Sequence, residues 1–240
     1  MGYITVMVIA IDGPAGAGKS TVSRQLARAL GFIYLDTGAM YRALAWALRR
    51  EDLRRGEASL TLAALGQLPL HFRLIDGELV VTYRGKRLGD ELREPEITNM
   101  ASRVSQIPAV REFLTAWQKR LAEEGNVVAE GRDMTTVVFP DSPFKVFLTA
   151  DLATRAQRRQ LEYRQKGLEI EYGLLEAQIR ARDEADQQRS IAPLRPSAEA
   201  FILDTSHLDP AEVLRQLIDF YNRKIEGQEP SGKIRPLAQK

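Results

Sequence analysis

The chain has 240 residues, 44% of them hydrophobic, which is enough to bury one large domain core. Basic residues (34) nearly balance acidic ones (32), and the net charge of +2 with 7% aromatic residues argues against broad nucleic-acid binding. The absence of cysteine excludes disulfides and cysteine-bound zinc and fits a reducing compartment. The apolar start is too short to span a bilayer and has no basic leader. We therefore expect a cytoplasmic monomer that binds neither nucleic acid nor membranes.

A glycine-rich stretch follows the first apolar run, Val6 to Ile11. Residues 13–21 read Gly-Pro-Ala-Gly-Ala-Gly-Lys-Ser-Thr and match the P-loop pattern, which is Gly, four residues and then Gly-Lys-Ser. Val22, Leu26 and Leu30 then recur at helical spacing. Strand, glycine-rich turn and helix therefore occur in the order that a nucleoside triphosphate site requires, although a turn that merely caps a helix is the alternative.

The P-loop residues suit a triphosphate for physical reasons. The glycines permit backbone torsions and close approach, so that several N–H groups converge on the phosphates, and the start of the helix adds positive potential. Lys19 can reach the β and γ phosphates, and the Ser20 hydroxyl can ligate the Mg²⁺ that accompanies the nucleotide. We predict ATP contacts from Gly13, Pro14, Ala15, Gly16, Ala17, Gly18, Lys19, Ser20 and Thr21.

A second strand, Phe32 to Leu35, ends at Asp36 and leads through a Thr37-Gly38 turn into a predicted helix, 39–50. Arg42 lies early in that helix, beside a strand end where α/β sheets place their ligands. It can contact a phosphate there, but a solvated helix charge is an equal alternative.

The pattern then changes. After a short helix at 62–68, residues 72–83 alternate as two strands around Asp76-Gly77, a hairpin signal, and a second turn follows at Arg84-Gly85. We expect this antiparallel meander to be appended to the parallel core. Two helices, 91–104 and 110–123, follow on either side of Pro108. On the residues alone, Ser102, Arg103 and Arg111 are best explained as ordinary polar side chains that face solvent.

A third strand, 126–129, enters the charged turn Glu130-Gly131-Arg132-Asp133. At a strand end, this turn offers a guanidinium for phosphate, a carboxylate and close backbone approach.

Two polar helices follow the fourth strand, 144–149. The first, opened by Asp151 and ending near residue 166, carries Arg155, Arg158, Arg159 and Arg164, which suggests a lid. The second, 172–189, presents Arg182, Asp186 and Arg189 on one face, where a solvated row of salt bridges is the alternative. A fifth strand, 201–204, and a last helix, 209–224, complete the predicted sheet, and 227–240 has no periodicity.

Four segments carry a family resemblance: GPAGAGKST, DTGAMYR, EGRDMTTVVFP and IRARDEADQQRSIAPL. Together they resemble the bacterial cytidylate kinases, which are nucleoside monophosphate kinases, over residues 8–221. The family often has Asp where this chain has Glu130, and Gly where it has Thr135. The resemblance implies transfer of the γ-phosphoryl group of ATP to CMP or dCMP, with Mg²⁺, in pyrimidine nucleotide metabolism.

The resemblance also implies an α/β P-loop kinase fold, with a five-stranded parallel sheet flanked by helices, an inserted small antiparallel β subdomain and a helical lid. We expect a single domain over 1–226, with a monophosphate-binding insertion at about 60–104, a lid at about 155–190 and a mobile tail at 227–240. The implied CMP-binding residues are Thr37, Arg42, Ser102, Arg111, Arg132, Asp133, Arg182, Asp186 and Arg189. The implied catalytic residues are Lys19, Arg132, Arg158, Arg159 and Arg189.

The chemistry needs no strong base, because the second phosphate pKa of a nucleoside monophosphate, about 6, leaves an anionic nucleophile at neutral pH. Accordingly, His71 and His207 lie beside no motif and are expected to be structural or surface residues. A GTPase switch would require Asp-x-x-Gly and Asn-Lys-x-Asp elements, and neither occurs in the chain. A transporter ATPase signature is also missing, which leaves uridylate, adenylate and small-metabolite kinases as the nearest alternatives.

Overall fold

The structure is a computed structural model that describes residues 6–51, 60–165 and 167–227. Its strands are β1 (Val8–Asp12), β2 (Ile33–Asp36), β3 (Leu70–Ile75), β4 (Glu78–Tyr83), β5 (Lys86–Arg87), β6 (Val127–Gly131), β7 (Phe144–Thr149) and β8 (Phe201–Asp204). Its α-helices are α1 (Lys19–Leu30), α2 (Thr37–Arg50), α3 (Leu62–Gly66), α4 (Pro95–Val104), α5 (Pro108–Ala122), α6 (Leu152–Gln165), α7 (Tyr172–Gln187) and α8 (Pro210–Ile225).

Five parallel strands form the centre of the molecule in the order β2-β6-β1-β7-β8, which confirms the predicted sheet. The apolar strand β1 lies between β6 and β7, with helices on both faces of the sheet, as a nearly continuous apolar run predicts. Asp12, the last residue of β1, is in register with Gly131 of β6. The P-loop and the charged turn therefore leave the sheet side by side.

The antiparallel meander is present and continues the same sheet. β3 and β4 pair around the predicted Asp76-Gly77 turn, and β5 pairs with β4. β4 joins β2 through the parallel pair Tyr34 and Glu78, with Tyr34 N–H donating to the Gly77 carbonyl at 3.0 Å. The predicted insertion thus covers an edge of β2 that would otherwise be exposed.

Several helix boundaries differ from the sequence expectation. The helix predicted from residue 91 is a 3₁₀ turn, Asp90–Arg93, followed by α4 from Pro95, because Glu94 adopts the extended backbone that precedes a proline. α5 begins at Pro108, which therefore opens that helix. α7 ends at Gln187, so Arg189 lies beyond it.

Two apolar clusters fill the two faces of the sheet. One lies under α2, α4 and α5 and includes Leu35, Met40 and Leu114; the other lies under α1 and α8 and includes Ile9, Leu26 and Phe220. In the described ranges, no helix has the length and apolar character needed to cross a membrane. The predicted tail lies outside the described residues from position 228.

Candidate active site

The P-loop is a tight backbone cradle between β1 and α1. At Gly13 a Cβ would lie 2.0 Å from the Leu148 carbonyl oxygen of β7, so only glycine fits there. Gly18 precedes the helix in the left-handed conformation, with φ of 86°. The loop therefore passes close to the neighbouring strand and delivers Lys19 and Ser20 into the first turn of α1.

Lys19 is buried over the loop. Its Nζ donates to the carbonyl oxygens of Gly13 at 2.7 Å and Pro14 at 2.8 Å. Burial, together with the nearby guanidinium groups of Arg132 and Arg182, lowers the pKa of Lys19 to about 7. Cationic side chains from separate elements therefore lie close to the loop, as an anion site requires.

A carboxylate lies at the end of β6, beside the P-loop. The Tyr34 hydroxyl donates to Glu130 Oε1 at 2.5 Å. Burial and the neighbouring Asp36 raise the pKa of Glu130, while Lys19 and a hydrogen bond from the Ser20 hydroxyl oppose that rise. The Ser20 hydroxyl and the Glu130 carboxylate, both oxygen ligands, are thus placed together as hard cations prefer.

Arg42 is held by the strand end that precedes it. Asp36 caps α2 by accepting from Ala39 N–H at 2.8 Å, and its second oxygen accepts from Arg42 Nη2 at 3.1 Å. Arg42 Nε is buried and has no hydrogen-bond partner among the described residues. The side chain is 20% exposed, which disfavours the alternative of a solvated helix charge.

A buried carboxylate joins the two loops. Asp12 accepts hydrogen bonds from Met134 N–H at 2.9 Å, Thr135 N–H at 2.8 Å and the Thr135 hydroxyl at 2.7 Å. Burial raises the pKa of Asp12 to about 6, although these bonds oppose the rise. Through Asp12, the strand that carries the P-loop also caps a π-helical segment, Met134–Val138, directly after the charged turn.

Arg132 of that turn is bound by α7. Its Nε donates to Asp186 Oδ2 at 2.9 Å, and Arg189 pairs with the other carboxylate oxygen. Burial would raise the pKa of Asp186, but Arg132, Arg189 and Arg182 hold it below its usual value. Asp186 is 1% exposed, so the alternative of a solvated salt-bridge row is wrong.

Asp133 of the same turn forms a buried ion pair with Arg111 of α5. The guanidinium lies 5.9 Å from the centre of the Tyr41 ring and also donates to the Ser105 carbonyl at 3.3 Å. Burial raises the pKa of Asp133, against the effect of Arg111. The residue pattern around Arg111 did not indicate that it is buried. The fold brings it into contact with Asp133, which lies 22 positions later in the sequence.

Two smaller predicted residues make contacts near the two ends of this region. The Ser102 carbonyl accepts from the Ser105 hydroxyl at 2.7 Å, in the turn that holds Arg111. Thr37 is buried and its hydroxyl donates to the Glu130 carbonyl at 2.5 Å, so it joins the ends of β2 and β6.

The remaining predicted arginines divide between two locations. Burial and the charges of Arg132, Arg42 and Arg159 lower the pKa of Arg182 to about 10, which places these four guanidinium groups in one region. Arg159 also contacts Glu162 and Tyr163 of its own helix. Arg158 instead lies on the P-loop side, where it donates to the Thr205 carbonyl at 2.6 Å.

The sequence interpretation missed several residues of this region. Asp36 and Glu130 stand in or near strand ends inside quoted motifs, so their position was a usable signal, but only the fold shows that Asp36 and Tyr34 of β2 lie beside Glu130. No sequence signal pointed to Asp183 of α7, which pairs with Arg155. His71 and His207 are both exposed, as expected.

The chain matches the family model described as cytidylate kinase over residues 9–223. A cytidylate kinase of Caldicellulosiruptor saccharolyticus is 40% identical over 217 residues, which cover 90% of this chain and 96% of that protein. A cytidylate kinase of Caldanaerobacter subterraneus subsp. tengcongensis is 44% identical over 222 residues, covering 92% and 96%. A bifunctional pantoate ligase/cytidylate kinase of Synechococcus sp. (strain JA-2-3B'a(2-13)) is 44% identical over 227 residues, covering 93% of this chain and 42% of that longer protein.

Proposed function

The chain belongs to the cytidylate kinase family, so its reaction is transfer of the γ-phosphoryl group of ATP to CMP or dCMP, and we propose that the two loops described above carry it. The products are ADP and CDP or dCDP. The observation that carries the assignment of the loops is the buried Asp133–Arg111 pair, which is placed beside Arg132 on the strand next to the P-loop.

The donor nucleotide binds at residues 13–21. Backbone N–H groups of the loop and the start of α1 hold the phosphates, and Lys19 exchanges its two carbonyl contacts for phosphate oxygens. The oxygen donors Ser20 and Glu130 lie together and fit the Mg²⁺ that travels with ATP, because burial and the neighbouring Asp36 carboxylate raise the pKa of Glu130 and a cation there would offset both effects. That ion, when bound, neutralises charge on the phosphates.

The acceptor nucleotide binds beside the charged turn. Arg42, Arg132 and Arg182 hold its phosphate, because their guanidinium groups lie in one region and a guanidinium presents paired N–H donors that match phosphate oxygens. Asp186 and Arg189 hold the ribose and phosphate side. Thr37 and Ser102 complete the wall near the base.

The base is selected by the buried ion pair. Cytosine presents an amino donor at N4 and acceptors at N3 and O2, so the Asp133 carboxylate and the Arg111 guanidinium complement its edge. Uracil reverses the donor and acceptor pattern at N3 and at position 4. It would face the carboxylate with an acceptor and the guanidinium with a donor, leaving buried groups unpaired.

The chemical step then depends on position and charge. The acceptor oxygen is already anionic, and Lys19 with Arg132, Arg158, Arg159 and Arg189 stabilises charge on the transferred group. We also propose the domain organisation given above: one domain over 1–226, with the insertion at about 60–104 contacting the acceptor and residues 155–190 closing as a lid that excludes water. The expectation of a cytoplasmic monomer remains part of this proposal.

A coupled assay of ADP release tests the function with CMP, dCMP, UMP, AMP and shikimate as acceptors. We expect kcat/KM for CMP and dCMP to exceed that for UMP by about tenfold or more, since each donor–acceptor mismatch costs about 1 to 3 kcal/mol. A preference for AMP or shikimate would overturn the assignment. Lys19→Ala serves as the control that the ADP comes from this site.

A further inference from the structure

α7 carries two buried carboxylates, Asp183 and Asp186, and they bind different parts of the molecule. Asp186 holds Arg132 at the end of β6, whereas Asp183 pairs with Arg155 in the first turn of α6. Residues three apart lie on the same side of a helix. One turn of α7 is therefore tied both to the acceptor turn and, through Arg155, to the region of the donor loop.

Arg155 continues this connection to the P-loop. Its Nη1 donates to the Ala15 carbonyl at 3.1 Å and binds Asp183, and its Nε donates to the Ala150 carbonyl at 2.9 Å. The side chains of Arg155 and Asp183 are only 9% and 12% exposed. Charge-assisted hydrogen bonds of this kind are among the stronger ones, so the guanidinium has a fixed position.

The bond to Ala15 determines where the loop points its next donor. In a trans peptide, the carbonyl of one residue and the N–H of the next point in opposite directions. Because Arg155 holds the Ala15 carbonyl, the N–H of Gly16 is directed away from Arg155. Backbone N–H groups of this loop are the donors that hold a triphosphate.

Direct packing reinforces the hydrogen bond. A Cβ at Gly16 would lie 3.0 Å from the Arg155 Cβ and 3.2 Å from its carbonyl oxygen. Such close-packed groups transmit a displacement instead of absorbing it. A shift of Arg155 therefore also shifts the P-loop backbone.

Asp183 makes the connection sensitive to α7. Its Oδ1 is buried and has no hydrogen-bond partner among the described residues. The contact between α7 and α6 at this position therefore depends on the bond between Asp183 Oδ2 and Arg155. Any displacement of α7 that separates the pair leaves a buried charge without compensation.

We propose that Asp183 is a positioning residue that acts through Arg155 on the P-loop, so that α7 couples binding at the donor and acceptor sites. This inference rests on the proposed function, which assigns the two sites. An acceptor phosphate that fixes Arg132 and Asp186 also fixes α7, and α7 then holds Ala15 and Gly16 in the orientation that the triphosphate requires. By thermodynamic linkage the effect is reciprocal.

Calorimetric titration of the full chain with a non-hydrolysable ATP analogue and Mg²⁺ tests the coupling. The Kd is measured without CMP and with saturating CMP. For the unaltered protein we expect CMP to tighten binding of the analogue by about fivefold or more, within the usual range for coupled sites. For Asp183→Asn we expect CMP to change the Kd of the analogue by less than about twofold. The Kd for CMP alone should change by less than about threefold.

Glu184→Gln is the matched control, because it removes the same charge from the adjacent, exposed position of α7. It should keep the coupling factor of the unaltered protein. Arg155→Lys provides a second test if Asp183→Asn folds poorly, since it retains the charge but removes the guanidinium whose Nε binds Ala150 while its Nη1 binds both Ala15 and Asp183. The double variant should lose no more coupling than either single variant, because both act through one contact.

The outcomes separate this inference from the proposed function. If the unaltered protein neither binds nor phosphorylates CMP, the proposed function fails. If it does both, but its coupling factor is one, the inference is overturned. The same holds if Asp183→Asn and Arg155→Lys keep the factor, or if Glu184→Gln loses it equally.

Discussion

The donor loop and the acceptor turn leave the sheet from adjacent strands, yet they are constructed differently. Residues 13–21 form one continuous segment, a loop and the first turn of α1, whose proposed anion-binding groups belong mainly to its own backbone. The acceptor turn at 130–133 depends on side chains from other elements, because Arg132 binds Asp186 and Asp133 binds Arg111. The first site is local in sequence, whereas the second exists only once α5 and α7 have docked.

This difference determines how each region tolerates change. Backbone donors remain when a side chain is replaced, so a variant in the donor loop removes one charge from an intact cradle. A variant in the acceptor turn instead leaves a buried partner charge uncompensated, which costs more than the contact itself is worth. Variants of the donor loop should therefore mainly lower turnover, whereas variants of the acceptor turn should change substrate specificity and stability.

The largest expected effect is that of Lys19→Ala on turnover. Removing a positioned charge from the transferring group should lower kcat by about two decades or more. The fold should be retained, because a lysine whose pKa is lowered from 10.5 to about 7 in the folded state opposes folding while it is charged. Steady-state turnover with saturating ATP and CMP, together with the thermal midpoint, provides the measurement.

An exposed lysine on α5 gives the control for this variant. Lys119→Ala removes the same charge from the protein without touching the loop and should leave kcat unchanged. Near-normal turnover of Lys19→Ala at saturating ATP would contradict the role of the P-loop lysine.

A smaller effect, on specificity, is expected from Asp133→Ala. Loss of the carboxylate removes the acceptor for the cytosine amino group and relieves the repulsion of uracil O4, so kcat/KM should fall much more for CMP than for UMP. We expect the ratio between the two substrates to narrow by about tenfold or more. Because the ratio compares substrates on one preparation, partial unfolding caused by the unpaired Arg111 does not affect it. Equal losses on both substrates would assign Asp133 to structure alone.

The comparison also explains what the sequence could predict. The five strands of the parallel sheet and the P-loop follow from apolar runs and one local motif, whereas the order of the strands comes from the structure alone. The meander was predicted, but its attachment to β2 was not, because a single pair at Tyr34 and Glu78 leaves no pattern in the sequence. Arg111 resembled an ordinary polar residue, since its buried partner Asp133 is 22 positions away and no periodicity connects them.

The segment from 155 to 190 is expected to respond to both regions, since it touches both. Arg155 and Arg158 lie on the side of the donor loop, whereas Asp186 binds Arg132 of the acceptor turn. Binding of a bisubstrate analogue should slow hydrogen exchange in this segment by about fivefold or more, because closure suppresses local opening. Exchange measured by mass spectrometry provides the test, with α8 as the internal reference outside the lid. Unchanged exchange across this segment would show that it does not close as a lid.

The smallest expected effect on the reaction concerns Asp12, which joins the two regions. Thr135→Val removes the hydroxyl bond to Asp12, and a hydrogen bond to a charged group contributes about 1.5 to 3 kcal/mol. Burial already raises the pKa of Asp12 from 3.8 to about 6, so the folded state holds this proton more tightly than the unfolded state. The contribution of Asp12 to stability therefore falls as pH rises from about 4 to about 6 and is constant above that range. Without the hydroxyl bond the ionised carboxylate is disfavoured further, so the variant should lose more unfolding free energy at pH 7.5 than at pH 5, while kcat changes little. Urea unfolding at both pH values measures the difference.

Thr136→Val is the control, because the Thr136 hydroxyl is buried without a hydrogen-bond partner among the described residues, and its removal should cost little at either pH. Equal losses for Thr135→Val at the two pH values would show that the hydroxyl does not stabilise the ionised form of Asp12, and the joint between the loops would then depend on the backbone N–H bonds alone.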